Sequence, residues 1–171
     1  MIRLLARLKR DACGAVAIEF ALWAVLIFVI LLSALDIGYY TIQRGRLAQA
    51  VSGASIGAFK QRSSVDYNAL STYIAAAAAP PAGRTVQVTI GCNGGTNNCN
   101  HILRVCACLS QSGAYIPTVV CGVSCGGGST PNSQSGYYLN IRASYAYRPI
   151  FVPGSVLGNA TLSQASTVRL Q

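Results

Sequence analysis

Acidic side chains are scarce in this chain: Asp11, Glu19, Asp36 and Asp66 are the four in 171 residues, and there is one histidine. Acid–base catalysis needs titratable groups held together in pairs. Outside the N-terminal leader and the span that ends around Asp36 only Asp66 and His101 remain, and they share no motif, so no catalytic residue is assigned. The paired Cys-x2-Cys knuckles of structural zinc sites are missing as well. Cys106-x-Cys108 and Cys121-x3-Cys125 with His101 do not substitute for them, and the sequence implies neither a metal nor a cofactor. No lysine follows the glycines at 126–128, so they read as a flexible turn rather than a phosphate-binding loop. No basic stripe alternates with aromatics, which argues against nucleic acid as a partner.

Hydrophobic residues, by contrast, make up 52% of the chain against 10% charged, a balance that points to a membrane segment. From Ala15 to Leu35 the sequence is apolar except for Glu19 and Ser33. A helix of that length, at about 1.5 Å per residue, crosses a hydrocarbon core of about 30 Å. A secretory signal would have a shorter apolar core and a small-residue cleavage site after it, whereas this run continues into Asp36, Gly38, Tyr39 and Tyr40. The tyrosine pair suits the far interface. Arg3, Arg7, Lys9 and Arg10 precede the run and hold the N-terminus in the cytoplasm by the positive-inside rule; Arg44 and Arg46 weaken the asymmetry without reversing it. The net charge of +9 therefore reads as a topology signal.

Six of the seven cysteines, Cys92, Cys99, Cys106, Cys108, Cys121 and Cys125, fall after the run. With the N-terminus inside they lie in an oxidising compartment, where an even and dense set is a disulfide framework. Fifteen connectivities are open. Cys106 and Cys108 would share one face of a strand and so reach different partners rather than each other. Tyr137, Tyr138, Tyr145 and Tyr147 read as strand residues covering a core edge in preference to a binding surface.

Between Asp36 and Gln61 helical character persists, and Gly45, Gln49, Gly53 and Gly57 recur every fourth residue as a stripe where another helix could pack. A short helix is expected through Ala79, capped by Ser64 with Asp66 in its first turn and stopped by Pro80-Pro81. After Gly83 the pattern alternates. Val86, Val88 and Ile90 share one strand face, "ILRVCACL" is another strand, Leu139, Ile141, Ala143, Tyr145 and Tyr147 oppose Asn140, Arg142, Ser144 and Arg148, and "ATLSQASTVRLQ" is a last strand. The expected class is α+β: a long N-terminal hydrophobic, transmembrane helix followed by a small disulfide-bonded β-rich domain. Its parts are a basic leader at 1–14, the transmembrane helix and its extension at 15–62, a short helix and linker at 63–82, and a cysteine-rich extracytoplasmic domain at 83–171.

Glu19 is the anomaly. A carboxylate at the centre of a membrane helix costs about 2.5 to 3.5 kcal/mol, less near an interface, and it asks for a cationic partner. The next basic residue toward the C-terminus is Arg44. Cleavage after Gly14 would supply a charge nearer at hand, the free α-amine of Ala15, and would remove Cys13. A basic leader ending in glycine, then Ala-Val-Ala-Ile, then Glu19, Phe20 and a long apolar helix resembles a class III, type IV pilin-like signal. "GAVAIEFAL", Asp36, "IRASYAYRPIFVP" and "TLSQASTVRLQ" resemble more particularly the TadE family of minor pilins or pseudopilins, over the first sixty or so residues and loosely over the last thirty-five. Trp23-Ala24 stands where a proline is often seen in that family's helix, and the cysteine-rich middle is not a general feature of it.

The resemblance implies a non-enzymatic structural role in assembling a Tad-type (type IVb) adhesion pilus. It implies a prepilin peptidase cutting between Gly14 and Ala15, and an ion pair between Glu19 and the Ala15 amine of a neighbouring subunit. The partners implied are other pilin-like subunits, inner-membrane pilus assembly proteins and membrane lipid. The location implied is the bacterial inner membrane, single-pass, with the C-terminal domain in the periplasm or carried into a surface pilus. The competing expectation is an unprocessed signal-anchor protein with an extracytoplasmic disulfide-rich ligand-binding domain.

Overall fold

A computed structural model describes residues 12–100, 104–151 and 160–171. The leader residues before Ala12, His101 and Asn159 lie outside the described residues. The chain is α+β, with a long apolar N-terminal helix followed by a small β-rich domain holding three disulfides. It divides into two compact units, Met1–Tyr40 with Pro149–Gly158, and Thr41–Arg148 with Asn159–Gln171.

Helix α1, Ala12–Lys60, has 49 residues, about 73 Å at the usual rise. Its first half is apolar on every side and largely exposed among the described residues: Val16, Phe20, Val25 and Phe28 are all more than 60% exposed. A helix that is hydrophobic all round belongs in lipid or a core. It is the one helix among the described residues long and apolar enough to cross a membrane. Trp23 and Ala24 sit within continuous helix. From Thr41 the pattern becomes one-sided, and Gln43, Leu47, Ala50, Val51, Ala54, Ser55 and Ala58 are buried. From Thr41 the helix belongs to the compact unit that holds the sheet.

The second helix, α2, spans Tyr67–Ala77, and its N-cap is Asp66, not the expected Ser64. The Asp66 carboxylate accepts from the Asn68 and Ala69 amides at 3.0 Å each. Ser64 is used otherwise: its amide closes a turn on the Gln61 carbonyl at 2.8 Å. Val65 is then buried, which fixes the chain so that the first free helical amides face Asp66. The helix ends at Ala78, with Ala79 at a φ of 42° and two prolines after it.

Strands β1 (Gln87–Cys92), β4 (Tyr138–Ala146) and β5 (Thr161–Arg169) form an antiparallel sheet in the order β1-β4-β5, and β2 (Cys106–Leu109) and β3 (Tyr115–Thr118) form a separate ribbon. In central β4, Leu139, Ile141, Ala143 and Tyr145 point inward, as the alternation requires. The Tyr145 hydroxyl donates to the Gln43 Oε1 of α1 at 3.0 Å, so both buried polar groups are satisfied. Of "ILRVCACL", Cys106–Leu109 is strand, Arg104 and Val105 are not, and Ile102 and Leu103 lie outside the described residues. Before the strand Arg104 leaves the ladder, lays its guanidinium over the Tyr137 ring at 5.4 Å and donates to the Arg62 carbonyl.

Candidate assembly and processing site

Chemistry-bearing residues concentrate on α1. Gly14 is exposed in its first turn, and a Cβ placed there would meet nothing within 4 Å. Ala15 and Glu19 lie four positions apart on the same helix, one turn, or about 6 Å along the axis. Glu19 is exposed and has no ion-pair or hydrogen-bond partner among the described residues. The structure therefore brings Gly14, Ala15 and Glu19 onto successive turns of one helix, with the Glu19 carboxylate exposed.

Asp36 behaves in the opposite way. It is fully buried, and its two carboxylate oxygens accept from the backbone amides of Ile150 at 2.8 Å and Phe151 at 3.0 Å. Charge-assisted bonds to two amides offset the desolvation of a carboxylate in low dielectric. Proximity in the sequence carries no trace of this contact, since the partners are more than a hundred residues away. The signal that was present was an acidic residue directly after an apolar run, coupled with the apolar Ile150-Phe151 pair after a strand.

Of the small-residue stripe, Gly53 alone meets another element. A Cβ there would lie 2.7 Å from the Tyr73 hydroxyl of α2, while Gly45 and Gly57 have nothing within 4 Å and Gln49 is exposed. The face of α1 that is covered by its own domain is the neighbouring one, through Leu47, Val51, Ala54 and Ala58.

The disulfides are Cys92–Cys99, Cys106–Cys121 and Cys108–Cys125. Cys106 and Cys108 reach different partners. The Cys92–Cys99 loop folds back on β1. The Asn98 side chain takes the Cys92 amide at 2.7 Å and gives to the Cys92 carbonyl at 2.8 Å, and the Asn97 amide bonds the Ile90 carbonyl at 3.0 Å. Gly91 makes this possible, because a Cβ there would be 1.7 Å from the Gly95 carbonyl oxygen. The other two disulfides tie β2 to the loop after β3, which bridges Ser124 to Gln134 and Ser110 to Ser129. Among the described residues no three His, Cys, Asp or Glu side chains are grouped as a metal would need.

The segment that carries the exposed glutamate, the glycine before it and the buried aspartate is also the one with relatives. Residues 14–55 match the TadE-like protein family. The match begins at Gly14 and takes in Glu19, Asp36 and the stripe from Gly45 to Gly53. No curated protein and no solved structure matches the chain. The likeness to TadE-like proteins covers 42 of the 171 residues. One apolar N-terminal helix is compatible with a single-pass membrane protein. The β-rich domain beyond residue 55 lies outside the matched region.

Proposed function

We propose that the protein is a minor pilin or pseudopilin-like structural component that supports assembly of a Tad-type adhesion pilus. In this reading residues 1–14 are a leader held at the cytoplasmic face by its arginines and lysine. A prepilin peptidase cuts the Gly14–Ala15 bond, where the absence of a side chain gives the enzyme access. The α-amine freed on Ala15 pairs with Glu19 of a neighbouring subunit. Ala15 and Glu19 being one helical turn apart, a neighbour shifted axially by about 6 Å brings its amine level with that carboxylate. The pair sets axial register more than it adds stability, because desolvating both charges opposes their attraction. The disulfide-bonded domain then lies on the periplasmic side, where its cysteines remain oxidised.

The observation that carries this reading is the family match beginning at Gly14, on a helix whose Glu19 is exposed and has no partner among the described residues. The test is the intact mass of the chain recovered without reduction from native membranes, together with its N-terminal sequence. The expected chain begins at Ala15 and is lighter than its reduced form by the six hydrogens of three disulfides. A chain that still carries Met1 and Cys13 overturns the pilin reading in favour of an unprocessed signal-anchored protein.

A further inference from the structure

The contact between Asp36 and the Pro149–Phe151 segment lies wholly within one compact unit of the chain. Its geometry has a consequence for the side chains it positions. Both carboxylate oxygens are engaged by the consecutive amides of Ile150 and Phe151, which turns the backbone of this dipeptide toward α1. The two side chains are left 61% and 50% exposed. Two large apolar residues are thus held facing outward by a buried charge. Water is a poor environment for such a pair, and a turn with free amides would ordinarily bond to water rather than to a fully desolvated carboxylate.

The position of Asp36 on the helix indicates what covers them. It follows directly on the apolar run, between Leu35 at 52% and Ile37 at 59% exposure, and three positions before Tyr39-Tyr40. One residue of helix is about 1.5 Å, so the amides bound to Asp36 are fixed at the level where the span leaves the hydrocarbon. Ile150 and Phe151, bound to Asp36 through their amides, are exposed apolar residues like Leu35 and Ile37.

We propose that the Asp36 carboxylate fastens Ile150 and Phe151 beside the C-terminal end of the membrane span, so that both side chains enter the upper acyl chains of the lipid leaflet. Asp36 is a positioning residue here, and the lipid surface is the ligand. The proposal rests on the apolar half of α1 being membrane-embedded. It does not depend on processing after Gly14.

The experiment uses the full chain in phosphatidylcholine vesicles whose acyl chains carry bromine, either near the headgroup or deep. Trp23 is the single tryptophan, so its quenching in the unaltered chain reports the span. Phe151→Trp combined with Trp23→Phe reports the loop. The expected result is that deep bromines quench Trp23, while shallow bromines reduce the emission from the Phe151→Trp chain by about half. Adding Asp36→Asn should remove that loop quenching. Asp36→Asn alone should leave Trp23 quenched, which establishes that the helix is still inserted.

If Trp23 itself is not quenched, the membrane span fails and this proposal with it. If Trp23 is quenched but the Phe151→Trp signal is insensitive to bromine, the lipid contact alone is overturned. A blue-shifted, bromine-insensitive emission would mean that protein covers the loop, and it overturns the proposal equally. Full loop quenching in the presence of Asp36→Asn would show that the carboxylate does not do the fastening.

Discussion

Gly57 and Gly91 meet opposite surroundings, and alanine at each separates two uses of a missing side chain. Gly57 is inside α1 with nothing within 4 Å of its would-be Cβ, so Gly57→Ala removes a helix-interior glycine without a clash. The expected gain is about 1 kcal/mol, read as a raised unfolding midpoint in detergent micelles. Gly91 sits where the Cys92–Cys99 loop returns on β1, with the Gly95 carbonyl 1.7 Å from that position. The obstacle is backbone, which cannot swing aside, and Gly91→Ala is expected to cost about 3 kcal/mol, at the upper end of overpacking. Tyr67 carries a separate, pH-dependent term. Burial raises its phenol from 10.0 to about 12, assisted by Tyr137 and opposed by Arg104. The folded state therefore favours the neutral phenol. The stabilisation is complete below pH 10 and fades as pH rises through about 12. A difference titration of phenolate absorbance between the chain and Tyr67→Phe should show one group ionising near the upper figure. Ionisation centred at 10 would show that the site does not exclude water.

The three disulfides close loops of different length, and their removal should be felt in that order. Cys108–Cys125 spans 17 residues and Cys92–Cys99 only 7. By loop-closure entropy the longer one restrains the unfolded chain by about 0.8 kcal/mol more, within totals of about 2 to 4 kcal/mol each. Replacing Cys108 and Cys125 together by serine should lower the melting temperature further than the same change at Cys92 and Cys99. The reverse order would mean that the Asn98 clasp on Cys92 depends on its disulfide more than the ribbon depends on the other two. Such a clasp was not readable beforehand. Alternation disclosed the inward residues of β4, because period-two burial is a local property of the chain, and the apolar run disclosed the first half of α1 for a similar reason. The connectivity of six cysteines is a matter of which loops fold back. For Cys92–Cys99 the fold-back goes with Gly91, Asn97 and Asn98, whose conformations no local pattern announces. The helix cap moved from Ser64 to Asp66 because Val65 between them is buried, a tertiary fact. Asp36 stood out as the acidic residue at the end of the apolar run, but its partners Ile150 and Phe151 were more than a hundred residues away, and Gln43, bound to Tyr145 at a like separation, carried no signal at all.

At the scale of the whole molecule, α1 carries two acidic residues with different fates. Asp36 is bound by amides of its own chain, and Glu19 has no partner among the described residues. A membrane protein with no further use for Glu19 would gain by losing it, since an apolar residue there lowers the insertion cost by up to about 3 kcal/mol. Glu19→Ala is therefore expected to insert at least as well as the natural chain and to be cut after Gly14 to the same extent. If Glu19 serves the Ala15 amine of another copy, the variant leaves that amine desolvated and unpaired, a loss of about 3 kcal/mol or more, equivalent to at least about a hundredfold in the assembly equilibrium. Mature chain should then accumulate in membranes while the amount recovered in sheared surface fibres falls sharply. Glu19→Gln, which keeps the shape and loses the charge, should behave like Glu19→Ala. Gly14→Leu, by contrast, should leave unprocessed chain in the membrane, so a processing defect and an assembly defect are told apart by mass. Normal recovery of both Glu19 variants in the fibre fraction would remove the intermolecular pair from the account, and the exposed carboxylate would then be a residue that reaches the headgroups and nothing more.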